Sequence, residues 1–181
     1  GYGLSAGTAG IYSHKESNKL IAFFGRVTYN FNEKYLFTAS GRYEGSSRFG
    51  VNNKWGFFPA VSAGWRLNRE DFLSNIAWLS DLKLRAGYGV TGNQDIGNYR
   101  ALQLLTTGGR FLYNGQWVTT YPPASNPNPN LKWERKGELN IGLDFGVLKN
   151  RIAGSVDYYV RNTSDLLWTY SVPVPPNVYN Q

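Results

Sequence analysis

The side chains able to do chemistry are few and far apart. His14 is the one histidine and cysteine is absent, so disulfides, thiolate metal sites and a Ser–His–Asp relay drop out. His14 stands beside Lys15 and Glu16 in a polar stretch and reads as a solvated loop residue. Glu70 and Asp71 precede Phe72, Leu73, Ile76 and Leu79 at helical spacing. Carboxylates are favoured at a helix start, so this pair reads as helix-end chemistry rather than as a general acid and base. Gly87-Tyr88-Gly89-Val90-Thr91-Gly92 matches GxGxxG. That pattern holds a pyrophosphate only when a helix N-terminus follows it, and here Asn93 to Asn98 reads as loop. Asn162-Thr163-Ser164 fits a glycosylation sequon, read here as incidental. The expectation is a chain with no catalytic, metal or cofactor site of its own.

The net charge is +7, but the basic residues are scattered from Lys15 to Arg161 without a run. A nucleic-acid footprint should cluster, so no nucleic-acid partner is expected. What recurs is charge on one side of alternating segments: Arg26, Arg42, Arg66, Arg85, Asp144 and Asp157. These six are the candidates for lining a solute pathway, with cross-strand pairing and wall solvation as the other reading of each. Trp55, Trp117 and Tyr121 are grouped as loop aromatics able to stack on a sugar, or to pack the loops.

The elements that carry these residues are strands. Ile21, Phe23, Gly25, Val27, Tyr29 and Phe31 alternate with Ala22, Phe24, Arg26, Thr28 and Asn30, with Phe24 the one exception. After Asn32-Glu33-Lys34 the pattern repeats over 35–44, then over 57–67 and 82–91. It resumes over 134–147 and, past Leu148-Lys149-Asn150, over 151–161. Period-two alternation is the mark of a strand with unlike faces. Residues 68–81 read as a short helical turn. The stretch 92–133 is rich in Gly, Asn, Pro and Thr and reads as loop, with room for a local hairpin across 99–105 and 110–120.

Three features favour a membrane wall over a soluble sheet. The strands run to about ten residues, the length a tilted strand needs to cross hydrocarbon. Their polar faces carry full charges and glycine, which suits a wet lumen. Aromatics gather near strand ends, at Tyr29, Phe31, Tyr35, Trp55, Phe57, Trp65, Trp133 and Tyr158, as interfacial girdles do. No apolar run approaches a membrane helix, and the mean hydropathy of -0.41 is no objection, because a barrel wall needs an apolar residue only at every second position. Short links at 32–34, 68–81 and 148–150 then face the periplasm, and the long links 45–56 and 92–133 face outward. The parity closes only if 92–133 crosses the membrane zero or two times, and zero crossings, an extracellular excursion, is the expectation. Residues 1–10 carry no basic start with an apolar core, so no leader is legible there. Six strands cannot close a barrel, whose smallest type has about eight, so the chain is expected to be a segment of something longer.

Four stretches go beyond periodicity: 24–67 (FGRVTYNFNEKYLFTASGRYEGSSRFGVNNKWGFFPAVSAGWRL), 82–99 (LKLRAGYGVTGNQDIGNY), 128–135 (NPNLKWER) and 140–167 (NIGLDFGVLKNRIAGSVDYYVRNTSDLL). In this order they resemble the later barrel region of the SusC/RagA family of TonB-linked outer-membrane transporters, over roughly residues 20–176. The resemblance implies an all-β antiparallel barrel of 22 strands in the cell outer membrane, with a plug domain, a TonB box and further C-terminal strands that this chain lacks. It implies import of glycan or peptide, driven through the TonB complex, with a SusD-like surface lipoprotein capturing the substrate. Tyr43-Glu44-Gly45-Ser46-Ser47-Arg48 stands where the family usually has an Arg-Asp-Gly-Ser-Ser-Arg type of sequence. The competing expectation is a surface barrel or adhesin-like sheet without active transport.

Overall fold

The computed structural model describes residues 15–177, so His14 lies outside the described residues. Eight strands form: β1 (Leu20–Phe31), β2 (Tyr35–Ser46), β3 (Trp55–Arg66), β4 (Leu79–Asn93), β5 (Arg110–Tyr113), β6 (Gln116–Thr119), β7 (Glu134–Val147) and β8 (Ile152–Ser164). Six make one antiparallel sheet in the order β1-β2-β3-β4-β7-β8, and β5-β6 is a separate hairpin. Among the described residues no helix is long and apolar enough to cross a membrane. The wall strands, at 12 to 15 residues, are long enough to do so.

Register follows from the turns. Asn32 and Glu33 take positive φ, with the Lys34 N–H donating to the Phe31 carbonyl. That backbone twist matches the twist of the flanking strands. Leu148, Lys149 and Asn150 do the same between β7 and β8. Once Phe31 faces Tyr35, every polar residue of β1 meets a polar-face partner on β2, as in Thr28 with Thr38 and Arg26 with Ser40. A one-residue slip would turn all of them onto the apolar side.

The apolar face is largely exposed and bounded by aromatic rows. Near the short turns Tyr29, Phe31, Tyr35 and Trp65 stack in sequence, with ring centroids 6.4, 6.4 and 6.2 Å apart. At the other end Trp55 stacks on Tyr43 at 4.9 Å and on Phe23 at 6.3 Å. Phe23 to Phe31 spans about 27 Å at about 3.4 Å per residue. Strand tilt brings this to roughly 20 Å, the order of a barrel's apolar band. Two expected girdle members sit elsewhere. Tyr158 pairs with Ile141 at mid-strand, and Trp133 is buried among the loops.

The excursion returns to where it started. β4 and β7 are neighbours from Leu79↔Val147 to Asn93↔Glu134, and the hairpin inside the loop has strands of four residues, too short to span a bilayer. Asn114 and Gly115 take positive φ at its turn, the Asn-Gly preference of a tight hairpin. The segment 99–105 stays out of it: Leu105 makes an isolated bridge with Pro123, and the Ala124 N–H donates to the Leu104 carbonyl. The expected helical turn forms ahead of its predicted place, as a 3-10 turn at Leu67–Arg69. Reverse-turn hydrogen bonds then carry the chain to Leu79.

Candidate functional site

Sheet pairing sorts the polar face into rows. One row reads Thr28, Thr38, Ser62, Gly87, Asn140 and Tyr159 across all six wall strands. The charged residues flank it. Three of the six sequence candidates come together below it: the Arg85 Nε and Nη2 donate to the two Asp144 oxygens, both at 2.8 Å, and Nη2 also reaches Asp157 Oδ1 at 3.1 Å. This clamp crosses β4, β7 and β8. The planar guanidinium fork suits it, since it meets one carboxylate bidentately and keeps a proton for the next. Gly142 makes room for it: a Cβ there would lie 2.4 Å from Asp157 Oδ1 and 2.8 Å from Arg85 Nη2.

The other three candidates stand apart from the clamp and from one another. Arg42 pairs with Glu44 at 2.7 Å on its own strand, and Glu44 is buried. Arg26 lies over the Phe24 ring, 5.4 Å from its centroid. That contact explains Phe24, the apolar residue on the polar face. Arg66 ends β3 directly opposite Lys83. Arg161 with Glu138, at 2.7 Å, is a further pair that the sequence reading left out.

The loop aromatics divide. Trp117 and Tyr121 are exposed, at 67% and 62%, on and just after the hairpin. Trp55 is not a loop residue: β3 begins there, two residues earlier than expected, and strand parity puts it on the apolar face beside Tyr43.

Above the polar face the loops have a core of their own. Phe49, Phe58 and Trp133 are buried together, with Val90, Ile96, Leu131 and Leu167 packed against them. Trp133 meets Phe49 at 4.7 Å and Phe58 edge-on at 5.3 Å, and its Nε1 donates to the Lys54 carbonyl at 3.0 Å. Backbone bonds join the β2–β3 loop to the excursion, Gly50 N–H to Leu131 O and Asn52 N–H to Pro129 O. Arg48 ties in Asn98 and the Gln94 carbonyl, and Asn128 N–H donates to Ala101 O. Gly50 has to be glycine, because a Cβ there would lie 2.0 Å from the Pro129 oxygen.

At the opposite end, Glu70 is an anchor rather than a helix N-terminal charge. Its carboxylate accepts from Trp65 Nε1 at 3.0 Å, the Tyr35 hydroxyl at 2.8 Å and Lys34 Nζ at 3.2 Å. The indole, phenol and ammonium donors hold it below the ordinary carboxylate range. Gly87 to Gly92 lies wholly within β4, with no helix after it. The nucleotide geometry is therefore missing.

The TonB-dependent receptor-like β-barrel family matches residues 1–181. The chain is 44% identical over 168 residues to the TonB-dependent receptor SusC of Bacteroides thetaiotaomicron, covering 88% of this chain and 16% of that protein. It is 42% identical to the TonB-dependent receptor P39 of Formosa agariphila, covering 88% of this chain and 15% of that one. Among solved structures it superposes on a chain of the RagAB peptide transporter with a TM-score of 0.74 at 35% identity, covering 86% of this chain and 17% of the other. The open-open state of the RagAB peptide importer gives 0.77, also at 35% identity. The chain belongs to the SusC/RagA family of TonB-dependent receptors. It is a stretch of outer-membrane β-barrel wall, and it spans about a sixth of the length of these relatives. In this TonB-dependent receptor segment the sequence reading missed the loop core. Its one available signal was Phe58, an apolar side chain at a polar-face position.

Proposed function

We propose that this chain forms part of the wall of a nutrient importer in the outer membrane, a 22-stranded barrel that takes up glycan or peptide with energy relayed by the TonB complex. Its short turns face the periplasm, and its excursion 92–133 faces outward. The loop cluster around Phe49, Phe58 and Trp133 supports the side on which a SusD-like lipoprotein delivers substrate. The plug and the TonB-contacting segment belong to other parts of the same protein. Arg26, Arg42, Arg66, Arg85, Asp144 and Asp157 then face the lumen, with Trp117 and Tyr121 at its mouth.

The observation that carries this reading is the contrast between the two faces. An apolar band lies between aromatic rows on one side, and an ion-paired charged face lies on the other, over strands of spanning length. The test is uptake by cells making the whole parent protein. Labelled oligosaccharides and peptides should accumulate in energised cells, and accumulation should stop on adding an uncoupler or deleting the TonB-contacting segment. Binding of solute at the surface with no energised accumulation would favour the adhesin-like alternative and overturn the import reading.

A further inference from the structure

Two glycines at the centre of β4 have no internal reason to be glycine. A Cβ on Gly87 would meet Ser62 Cβ at 3.5 Å, and one on Gly89 would meet Ala60 Cβ at 3.4 Å, both ordinary contacts. Neither has the left-handed backbone seen at Gly97 and Gly115. Of the other wall glycines, Gly92 would strike the Phe58 ring at 2.2 Å and Gly142 yields to the Arg85 clamp, while Gly25 of β1 also has open space but stands on the apolar face. A glycine inside a strand weakens it, and where no bulge or bend requires it, the remaining cause is close approach of a ligand or another backbone. Gly87 and Gly89 are paired in unbroken register with Asn140 and Glu138.

A second observation falls on the same spot. Two shallow cavities on the polar face meet at Gly87 and Asn140, one running towards Lys83 and the other towards Lys136. Among the described residues, the side chains of Thr38, Ser62 and Asn140, which line them, have no hydrogen-bond partner. Neither lysine forms an ion pair among the described residues. Asp144, opposite Lys83, has both its oxygens engaged by Arg85. The one aromatic in the lining, Tyr88, projects its ring from the other face of β4. The groove thus offers a bare floor and an ammonium group at each end, with uncharged hydroxyl and amide groups along its sides beside two charges already paired, Arg85 with Asp144 and Asp157, and Glu138 with Arg161.

We propose that Gly87 and Gly89 floor a groove that holds the main chain of an extended, carboxylate-bearing peptide during its passage through the lumen. The proposal rests on the import reading above and names its substrate class. Only a surface without Cβ atoms lets another main chain lie against the sheet. Thr38, Ser62 and Asn140 supply the donors and acceptors that peptide groups need. Lys83 and Lys136 are separated by the length of β7 from Asp144 to Lys136, about 27 Å at about 3.4 Å per residue. That is room for roughly eight extended residues. A neutral glycan would leave both ammonium groups unused and would find no ring to stack on.

The experiment uses the whole parent protein in its outer membrane, with a fluorescent acidic octapeptide, a neutral peptide of the same length, a neutral oligosaccharide and a uronate oligosaccharide. Gly87→Ala with Gly89→Ala should leave the barrel folded, with heat-modifiable gel migration intact and Tm unchanged or raised. The same variant should raise the KM for both peptides. Lys83→Gln with Lys136→Gln should raise the KM for the acidic peptide about tenfold, the loss of one to two charge-assisted contacts, and spare the neutral one. If the wild type imports none of the four probes, the import reading itself fails. If the wild type imports peptide and both variants match it, the groove proposal alone fails. Loss confined to the oligosaccharides overturns the peptide assignment. A glycine variant that misfolds, or that leaks ions without substrate, assigns the close approach to another part of the same protein and also overturns the proposal.

Discussion

Replacing Trp133 with alanine removes the centre of the loop core. Its ring is 4% exposed, touches both Phe49 and Phe58, and its indole N–H is bonded to Lys54. Truncating a buried tryptophan costs about 3–5 kcal/mol, and the lost hydrogen bond falls within that range. A loss of about 4 kcal/mol corresponds to roughly a thousandfold change in the opening equilibrium. Trp133 packs on loops and on the rim of the sheet, so the loss should be local. Hydrogen exchange on the whole protein in detergent or nanodiscs should show the amides of Gly50, Asn52 and Asn128 exchanging about a thousandfold faster, because loop–loop bonds protect them. Mid-strand amides such as Leu84 and Ile141 should keep their protection. Trp133→Phe retains a ring and loses only the bond to Lys54, about 1 kcal/mol, so exchange should quicken about fivefold. Unchanged loop exchange in the alanine variant would refute a shared loop core. Equal loss across the strands would show that the core supports the wall itself.

Other consequences can be measured on the same preparation. Arg85→Ala leaves Asp144 and Asp157 facing each other without a cation. All three groups are about one-third exposed, so screening limits the loss to about 1–2 kcal/mol, read as a lower Tm by heat-modifiable migration. Arg85→Lys should recover only part of it, since an ammonium cannot meet Asp144 bidentately. Glu70 has its folded-state pKa depressed, so its contribution is present above the ordinary carboxylate range and is lost as pH falls through the lower folded value. The Trp65 indole N–H resonance should therefore shift on acidification, and Glu70→Gln should abolish that pH dependence. Gly50→Ala forces Pro129 away and should open the excursion to proteolysis within 92–133 while leaving the strands resistant.

How much the sequence disclosed depended on whether the information was local. Strand alternation is local, and so the six wall strands and their two tight turns were legible to within three residues. Parity and turn length narrowed the excursion to zero or two crossings, and the four-residue hairpin strands and the β4–β7 pairing fit zero. The Asn114-Gly115 hairpin carried its own turn signal, whereas 99–105 had none and stayed a loop. The misplacements arose at element ends. Trp55 shares the parity of Phe57, and starting β3 two residues late made it look like a loop aromatic. Trp133 has the parity of the apolar face, but the chain leaves the strand before reaching it, and the ring turns into the loops. Glu70 gathers three donors from two separate segments, Lys34 with Tyr35 and Trp65. No spacing along the chain announces such a junction. The candidate arginines looked alike in sequence, and only the register distinguished the clamped Arg85 from Arg26 and Arg66.

The pairing of Asn93 with Glu134 gives the excursion the character of a cassette. The loop hangs from one rung of a ladder that keeps its register beneath it down to Asp81, so its contents and the wall's alignment are decoupled. Lengthening such a segment adds little closure entropy, about 0.6 kcal/mol per doubling. The exchangeable part has limits, because Ile96, Asn98, Ala101, Asn128, Leu131 and Trp133 belong to the knit around the loop core. What remains free is the interior, 102–125, with the exposed hairpin at its middle. Related barrels could diversify the solutes met at their mouths by swapping that interior, with no strand below having to move.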